Sequence, residues 1–234
     1  MTGAAWGPTP RPTGEPSFFE QLADTDRERG LQIGIRRRYR KGAYVFHAGD
    51  TGDRLYIIVT GRVSVQLANL SGDTTILAVL GPGDCFGELA VLRGGVRSAS
   101  VVALEDLEAV TLSRADLNQL SDDGRVVQGF LIDVLTTQVM RLTRRVIDAE
   151  FATAADRVVA RLADVACVYD EGVLPIVVPM TQSSLAGMAG TTRPTVNKVF
   201  AHLADDGLIR IGHGGVDVLD LGGLQRRADV SVNR

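Results

Sequence analysis

The sequence is short of the residues that metal and redox chemistry needs. Its 234 residues hold two cysteines, Cys85 and Cys167, with no C-x-x-C pair, and three scattered histidines, His47, His202 and His213. This scarcity argues against a disulfide framework, an iron–sulfur or other cysteine-rich metal site, and a multi-histidine metal centre. The two thiols read instead as small buried hydrophobes. Also missing is any apolar run near the roughly 18 to 20 residues of a membrane helix, and the first 16 residues hold no continuous apolar signal segment. A cytoplasmic protein without a membrane partner is expected. No G-x-S-x-G elbow, P-loop or H-E-x-x-H appears, so the sequence gives no support to catalysis. Neither sign of charge dominates, with 25 Lys+Arg against 28 Asp+Glu and a net charge of -3. What remains is a globular balance, 45% hydrophobic and 23% charged, long enough for one to two domains with a sizeable core.

The chain changes character along its length. Pro8, Pro10, Pro12 and Pro16 crowd the start, which predicts a flexible tail over residues 1–17. From about residue 38 to residue 112, short apolar runs with period-2 stretches are cut by glycines, which predicts an all-β sandwich or barrel within 18–122. The clearest strand is Leu55 to Val59, followed by alternating Val63, Val65 and Leu67, and GPGD at 81–84 is a turn. Residues 130–166 contain neither Gly nor Pro, which predicts a long helix, placed at 123–152. Leu135, Val139, Leu142 and Val146 form a narrow seam on it, with Arg141, Arg144 and Arg145 largely off that seam. Such a seam suits a dimer contact, or else the core of a single chain. Thr153 with Asp156 is a capping-box pattern that opens a further helix, whose buried face would be Val158, Val159, Leu162 and Val165.

The last segment, 153–234, carries two more helices. Thr181 caps the first, Gly190 breaks it, and Thr192 caps a second in which Val196, Val199, Phe200 and Leu203 share one face. A short helix, a Gly-containing turn and a second helix make a helix-turn-helix. Residues 208–220 then read as a two-stranded wing around His213-Gly214-Gly215.

Two stretches carry chemistry. In FGELAVLRGGVRSAS, residues 86–100, Gly87 admits close approach of backbone to a ligand, and a helical turn from Glu88 would aim N–H groups at an anion. Arg97 and Ser98 add a charged fork and a hydroxyl, while Glu88 suits a sugar hydroxyl. The same residues equally suit a structural pair of Glu88 with Arg97. In the second helix of the helix-turn-helix, Arg193 and Lys198 can face one groove of DNA, and Gln182, Ser183, Thr192 and Thr195 suit phosphate contacts. His202 and Arg210 extend that basic patch. Residues 153–234 hold 8 basic and 9 acidic side chains, so affinity rests on the local patch doubled by a dimer, and a winged helix used for protein contacts is the alternative. The RRRYRK run at 36–41 reads as a solvated edge of the β region.

Taken in order, GDRLYIIVTGRVSV (52–65), FGELAVLRGGVRSAS (86–100) and MTQSSLAGMAGTTRPTVNKVFAHLADDGLI (180–209) resemble the cyclic AMP receptor protein and FNR superfamily of bacterial transcription regulators. The resemblance covers nearly the whole chain after residue 35. It implies an α+β architecture: an N-terminal cyclic-nucleotide-binding β-roll (a double-stranded β-helix, or jelly roll), a long dimerisation helix and a C-terminal winged helix-turn-helix. It also implies that Arg97, Ser98 and local backbone hold a cyclic phosphate, that Glu88 with Gly87 and Leu89 takes the ribose, and that Val65 and Leu77 wall the pocket. Of the two neighbouring hydroxyl residues that contact the purine in cyclic AMP-responsive members, Leu142 replaces one and Thr143 remains, and an arginine expected one turn earlier is Gln138. Pro194 stands where a base-reading glutamate is expected. The implied function is a homodimeric regulator whose cyclic nucleotide, cyclic AMP first, changes its affinity for a palindromic promoter site, with RNA polymerase as a further partner. A family member that answers to another nucleotide, or binds DNA without one, is the alternative. A cupin-type metal enzyme is remote, since only His47 lies in the β region. Oxygen sensing would need an N-terminal cysteine cluster that is absent, and three histidines disfavour haem.

Overall fold

A computed structural model describes residues 32–68, 74–119 and 125–230. The tail expected over 1–17 lies outside them. The chain forms two compact units, one within residues 16–137 and one comprising residues 138–234.

The first unit is a sandwich of two four-stranded antiparallel sheets. One sheet has the order β1-β10-β4-β7, from β1 (Ile35–Tyr39), β10 (Leu107–Ser113), β4 (Arg54–Thr60) and β7 (Cys85–Phe86). The other runs β2-β9-β5-β6, from β2 (Tyr44–Phe46), β9 (Ser100–Ala103), β5 (Val63–Ala68) and β6 (Thr74–Leu80). A short pair, β3 (Thr51–Gly52) with β8 (Gly95–Val96), stands apart. Strand β4 shows why its sequence, RLYIIVT, is almost continuously apolar: alternate side chains enter two different cores. Ile58 joins Val63, Leu80, Phe86, Val101 and Leu107 between the sheets. Leu55 and Ile57 point the other way and pack with Val91, Leu117 and Val134. Those three partners come from α1 (Glu88–Arg93), α2 (Arg114–Gln119) and the start of the long helix α3 (Arg125–Phe151). The β5 to β6 ladder shifts register at Val65/Gln66, where Ala78 and Ile76 are the partners and Leu77 is the extra residue.

Most of the basic run falls on β1, which among the described residues pairs through β10 alone. Arg38 Nε donates to the Glu108 carboxylate at 2.8 Å, and Arg36 bonds its other oxygen. Together they hold the Glu108 carboxyl below the usual carboxylate range. Charged side chains on an edge strand also discourage pairing with another chain.

The second unit begins in the later turns of α3 and continues into α4 (Ala154–Tyr169), α5 (Gln182–Ala189), α6 (Arg193–Asp205) and α7 (Leu221–Val230). A three-stranded sheet, β11-β13-β12, completes it, from β11 (Ile176–Val178), β13 (Gly215–Val218) and β12 (Ile209–Gly212). The junction between α3 and α4 is tightly tied. Thr153 and Asp156 form the capping box that the sequence predicts. Buried Arg161 on α4 bonds buried Asp148 on α3, and its Nη1 donates to Asp164 at 2.7 Å. Val158, Val159, Leu162 and Val165 are buried, as their spacing requires. Among the described residues no helix is long and apolar enough to cross a membrane.

Candidate functional site

In the β unit the connection from β7 to β9 gathers the predicted ligand residues. Gly87 closes β7 with a φ of 79°, a left-handed backbone that a side chain would strain. A Cβ there would also lie 2.5 Å from Arg97 Nη1 and 3.2 Å from the Arg54 carbonyl oxygen. Gly87 is the N-cap of α1, and no side chain caps the helix. Glu88 opens α1 and is only 3% exposed, and Leu89 is half-buried beside it. Past β8 the chain turns back, with the Gly49 amide donating to the Arg97 carbonyl at 2.9 Å and the Arg97 amide to the Asp50 carbonyl at 2.8 Å. Ser98 is exposed next to it.

The side chain of Arg97 is 6% exposed, unusual for an arginine. Nη1 donates to the Gly87 carbonyl at 2.9 Å, and buried Nε has no hydrogen-bond partner among the described residues. The guanidinium lies over the Phe46 ring, 4.2 Å from its centroid, and 5.5 Å from that of Tyr56. Phe46, Tyr56 and Phe86 form one aromatic cluster, with Tyr56 stacked on Phe86 at 4.9 Å. Behind it, burial and the neighbouring Tyr56 push the Tyr39 hydroxyl up to about 12. Val65 packs against the core between the sheets that holds Phe86, and half-buried Leu77 sits at the bulge on β6. The geometry thus unites Gly87, Glu88, Leu89, Arg97 and Ser98 on one connection. An arginine buried with an unsatisfied donor is a ready partner for an anion.

Thr143 belongs to the second unit, on α3, where it is exposed, as is Leu142. Val139, Leu142 and Val146 each leave about three-fifths of their surface open, and Ile132 matches them one heptad before Val139. Of the seam read from the sequence, Val139, Leu142 and Val146 are therefore solvent-facing in the chain alone, while Leu135 is half-buried. A heptad-spaced apolar seam of this kind suits pairing with a second helix.

The helix-turn-helix is held from both ends. Thr181 caps α5 through the Ser184 amide, and Thr192 caps α6 through the Thr195 amide. The Thr192 and Thr195 hydroxyls also meet at 3.0 Å, so a phosphate would share them with the cap. Gly190 ends α5 with a φ of 59°. Arg157 spans the turn from beneath: Nε donates to the Ala189 carbonyl at 2.8 Å, and Nη1 donates to that of Ala152 at 2.9 Å. With Val196, Val199, Phe200 and Leu203 buried, the outer face of α6 presents Arg193, Pro194, Asn197, Lys198 and His202. Ser183 is exposed at the start of α5, with Gln182 half-buried beside it. Asn197 escaped the sequence reading, although it lies one turn beyond Arg193, and its amide is of the type that pairs with adenine. Arg210 departs from expectation. Its Nε and Nη2 both bond Asp217 across the wing, at 3.0 and 2.7 Å, which neutralises it, so it is no free cation of the basic patch.

Two family models match this chain, a cyclic nucleotide-binding domain over residues 36–123 and a Crp-like helix-turn-helix domain over residues 156–227. The cyclic AMP receptor protein of Thermus thermophilus is 34% identical over 211 residues, covering 90% of this chain and 96% of that protein. The chain belongs to the CRP/FNR family of transcription regulators. The CRP-like cAMP-activated global transcriptional regulator of Mycobacterium tuberculosis is 32% identical over 193 residues, 81% of this chain and 86% of that one. Among solved structures, the catabolite activator protein of Thermus thermophilus shares 33% identity at a TM-score of 0.52, covering 91% of this chain and 98% of its own. The c-di-GMP responsive regulator CLP of Xanthomonas campestris reaches a TM-score of 0.68 at 22% identity, over 85% of this chain and all (100%) of its own, a likeness of fold. As a member of this family of regulators rather than enzymes, the chain combines cyclic nucleotide binding with DNA binding as a dimer. Among the described residues, no group of three or more His, Cys, Asp or Glu side chains could hold a metal ion.

Proposed function

We propose that the protein is a cytoplasmic, cyclic AMP-responsive regulator whose dimer changes its affinity for a palindromic operator when the nucleotide binds. Residues 18–122 take the nucleotide, 123–152 form the dimer and 153–234 read DNA. The observation that carries the ligand half is the buried Arg97 guanidinium, whose Nε has no partner among the described residues. A cyclic phosphate held by Arg97, Ser98 and the backbone near Gly87 satisfies that donor, while Glu88 and Leu89 meet the ribose. Val65 and Leu77 wall the base, and Thr143 supplies the single hydroxyl that reaches the purine. The relatives named as cyclic AMP-responsive support that choice of nucleotide. Leu142 and Gln138, where cyclic AMP-responsive members carry a hydroxyl and an arginine, favour a second reading in which another nucleotide is the signal.

On the DNA side, Arg193, Asn197 and Lys198 reach base edges from α6, and Gln182, Ser183, Thr192 and Thr195 fix its register on phosphates. The symmetry of the dimer calls for a palindromic site. Pro194 alters the half-site without abolishing binding, because the first helical turn needs no amide donor from it. RNA polymerase is the partner through which such a bound dimer acts. Coupling between the sites of about 1 to 3 kcal/mol, roughly 5- to 150-fold in DNA affinity, is ordinary for such proteins.

Calorimetric titration with cyclic AMP, cyclic GMP and cyclic di-GMP tests the reading, with Arg97→Ala as control. One site per chain for cyclic AMP, lost in Arg97→Ala while the thermal melt is retained, is expected. Heat from another of the three nucleotides alone changes the signal. Retained affinity in Arg97→Ala refutes the site.

A further inference from the structure

We infer that Phe46 and Gly52 are positioning residues for the Arg97 guanidinium, forming a slot that presents its donor edge to the anion. The inference rests on the reading of this connection as a nucleotide site. Three contacts define the slot, and each restrains a different part of the group. Phe46, at the end of β2, receives the charge over its ring at 4.2 Å. Gly52, in β3, lies against the guanidinium: a Cβ there would sit 2.3 Å from Nε, 2.4 Å from Cζ and 2.8 Å from Nη2. In a planar guanidinium those three distances place the Cβ above the face rather than beyond the edge, so any side chain at 52 would occupy the space of the guanidinium itself. The Gly87 carbonyl accepts from Nη1 at 2.9 Å and fixes the rotation within the plane.

What the slot leaves uncommitted is Nε, buried and without a partner among the described residues. An arginine fork gains specificity from being planar and held in advance, because less side-chain freedom is lost when the anion arrives. An unrestrained arginine on a loop would instead remain hydrated and mobile. Neither Phe46 nor Gly52 need touch the ligand. They act on it through Arg97, Phe46 by cation–π attraction and Gly52 by having no side chain.

The test is calorimetric titration of the full chain with cyclic AMP, or with whichever of the three nucleotides the wild type binds. Phe46→Leu, which keeps the apolar bulk and removes the ring face, is expected to weaken binding about 3- to 30-fold, the range a partly desolvated cation–π contact spans. Phe46→Tyr, which keeps an aromatic face, retains wild-type affinity. Gly52→Ala displaces the guanidinium and approaches the loss seen in Arg97→Ala. A purely structural role for Phe46 would lower the thermal melt together with the affinity. The slot instead requires that Phe46→Leu weakens binding while its thermal melt stays with that of Phe46→Tyr, which restores the affinity. Should Phe46→Leu fail to fold, Gly52→Ala carries the test, since the slot predicts a large loss there and a spectator glycine predicts none. Binding that is lost in Arg97→Ala yet unchanged in Gly52→Ala or Phe46→Leu overturns the slot and leaves the nucleotide site standing. A wild-type chain silent with all three nucleotides overturns both.

Discussion

Replacing Leu142 by alanine tests whether the open seam on α3 holds two copies of this chain together. Leu142 is 61% exposed in the single chain, so most of its apolar surface still awaits burial. Full burial of a leucine side chain is worth about 1.5 to 3 kcal/mol, and the exposed part therefore about 1 to 2 kcal/mol on pairing. Alanine keeps one carbon, so truncation removes roughly 1 kcal/mol per chain, and two-fold symmetry doubles this to about 2 kcal/mol, near 30-fold in the dimer dissociation constant. Alanine favours helix at least as well as leucine, so the helix itself should not be weakened. Sedimentation equilibrium over a concentration series reads the constant directly. Met140→Ala is the matched control: Met140 is exposed on the same helix, but at 100° per residue it lies well away from the line through Val139, Leu142 and Val146. A dimer constant that moves less than about threefold in Leu142→Ala, or equally in Met140→Ala, refutes the seam as the contact.

Two further perturbations follow from the second unit. Asp148→Ala leaves Arg161 buried with Asp164 as its remaining acidic partner, and should cost about 3 kcal/mol, the lower end for breaking a buried ion pair. A urea melt reads the loss, and a mutant within about 1 kcal/mol of wild type would show the pair to be dispensable. Burial pushes the Cys167 thiol up to about 11. Thiolate forms only as pH rises toward that value, and this outweighs the greater nucleophilicity of a high-pKa thiolate, so at pH 8 the folded chain should react with a disulfide reagent at Cys167 about 10-fold slower than the unfolded chain or slower still; comparable rates would contradict the burial.

The parts legible in the sequence were those fixed by neighbours along the chain. Thr153 with Asp156, Thr181 and Thr192 each announce a helix start within four residues, because a cap answers to the first turn alone. The buried stripes on α4 and α6 follow in the same way from helical spacing. The wing was equally local, and its register contained a consequence that composition hides. Pairing Gly212 with Gly215 places Arg210 opposite Asp217, so a cation counted toward the DNA patch is neutralised by its cross-strand neighbour. Asn197 was reachable by the same periodicity from Arg193, but a search for charge passes over a neutral amide.

What could not be read is the environment of Arg97, because long-range strand pairing assembles it. Antiparallel pairing of β2 with β9 sets Phe46 opposite Val101, a few residues beyond Arg97, and pairing of β3 with β8 sets Thr51 opposite Val96, immediately before it. These two ladders carry an aromatic ring and a side-chain-free backbone to one guanidinium from different strands. In the sequence, Gly52 is one glycine among many in a turn-rich stretch, and Phe46 one apolar residue of a strand. Only the fold brings the first against the guanidinium and sets the ring of the second over it. On the proposed reading the motif names the anion's partner, and the strength of binding depends on residues outside the motif that hold that partner still. This is why variation at 46 and 52 should tune affinity without altering any residue that touches the nucleotide.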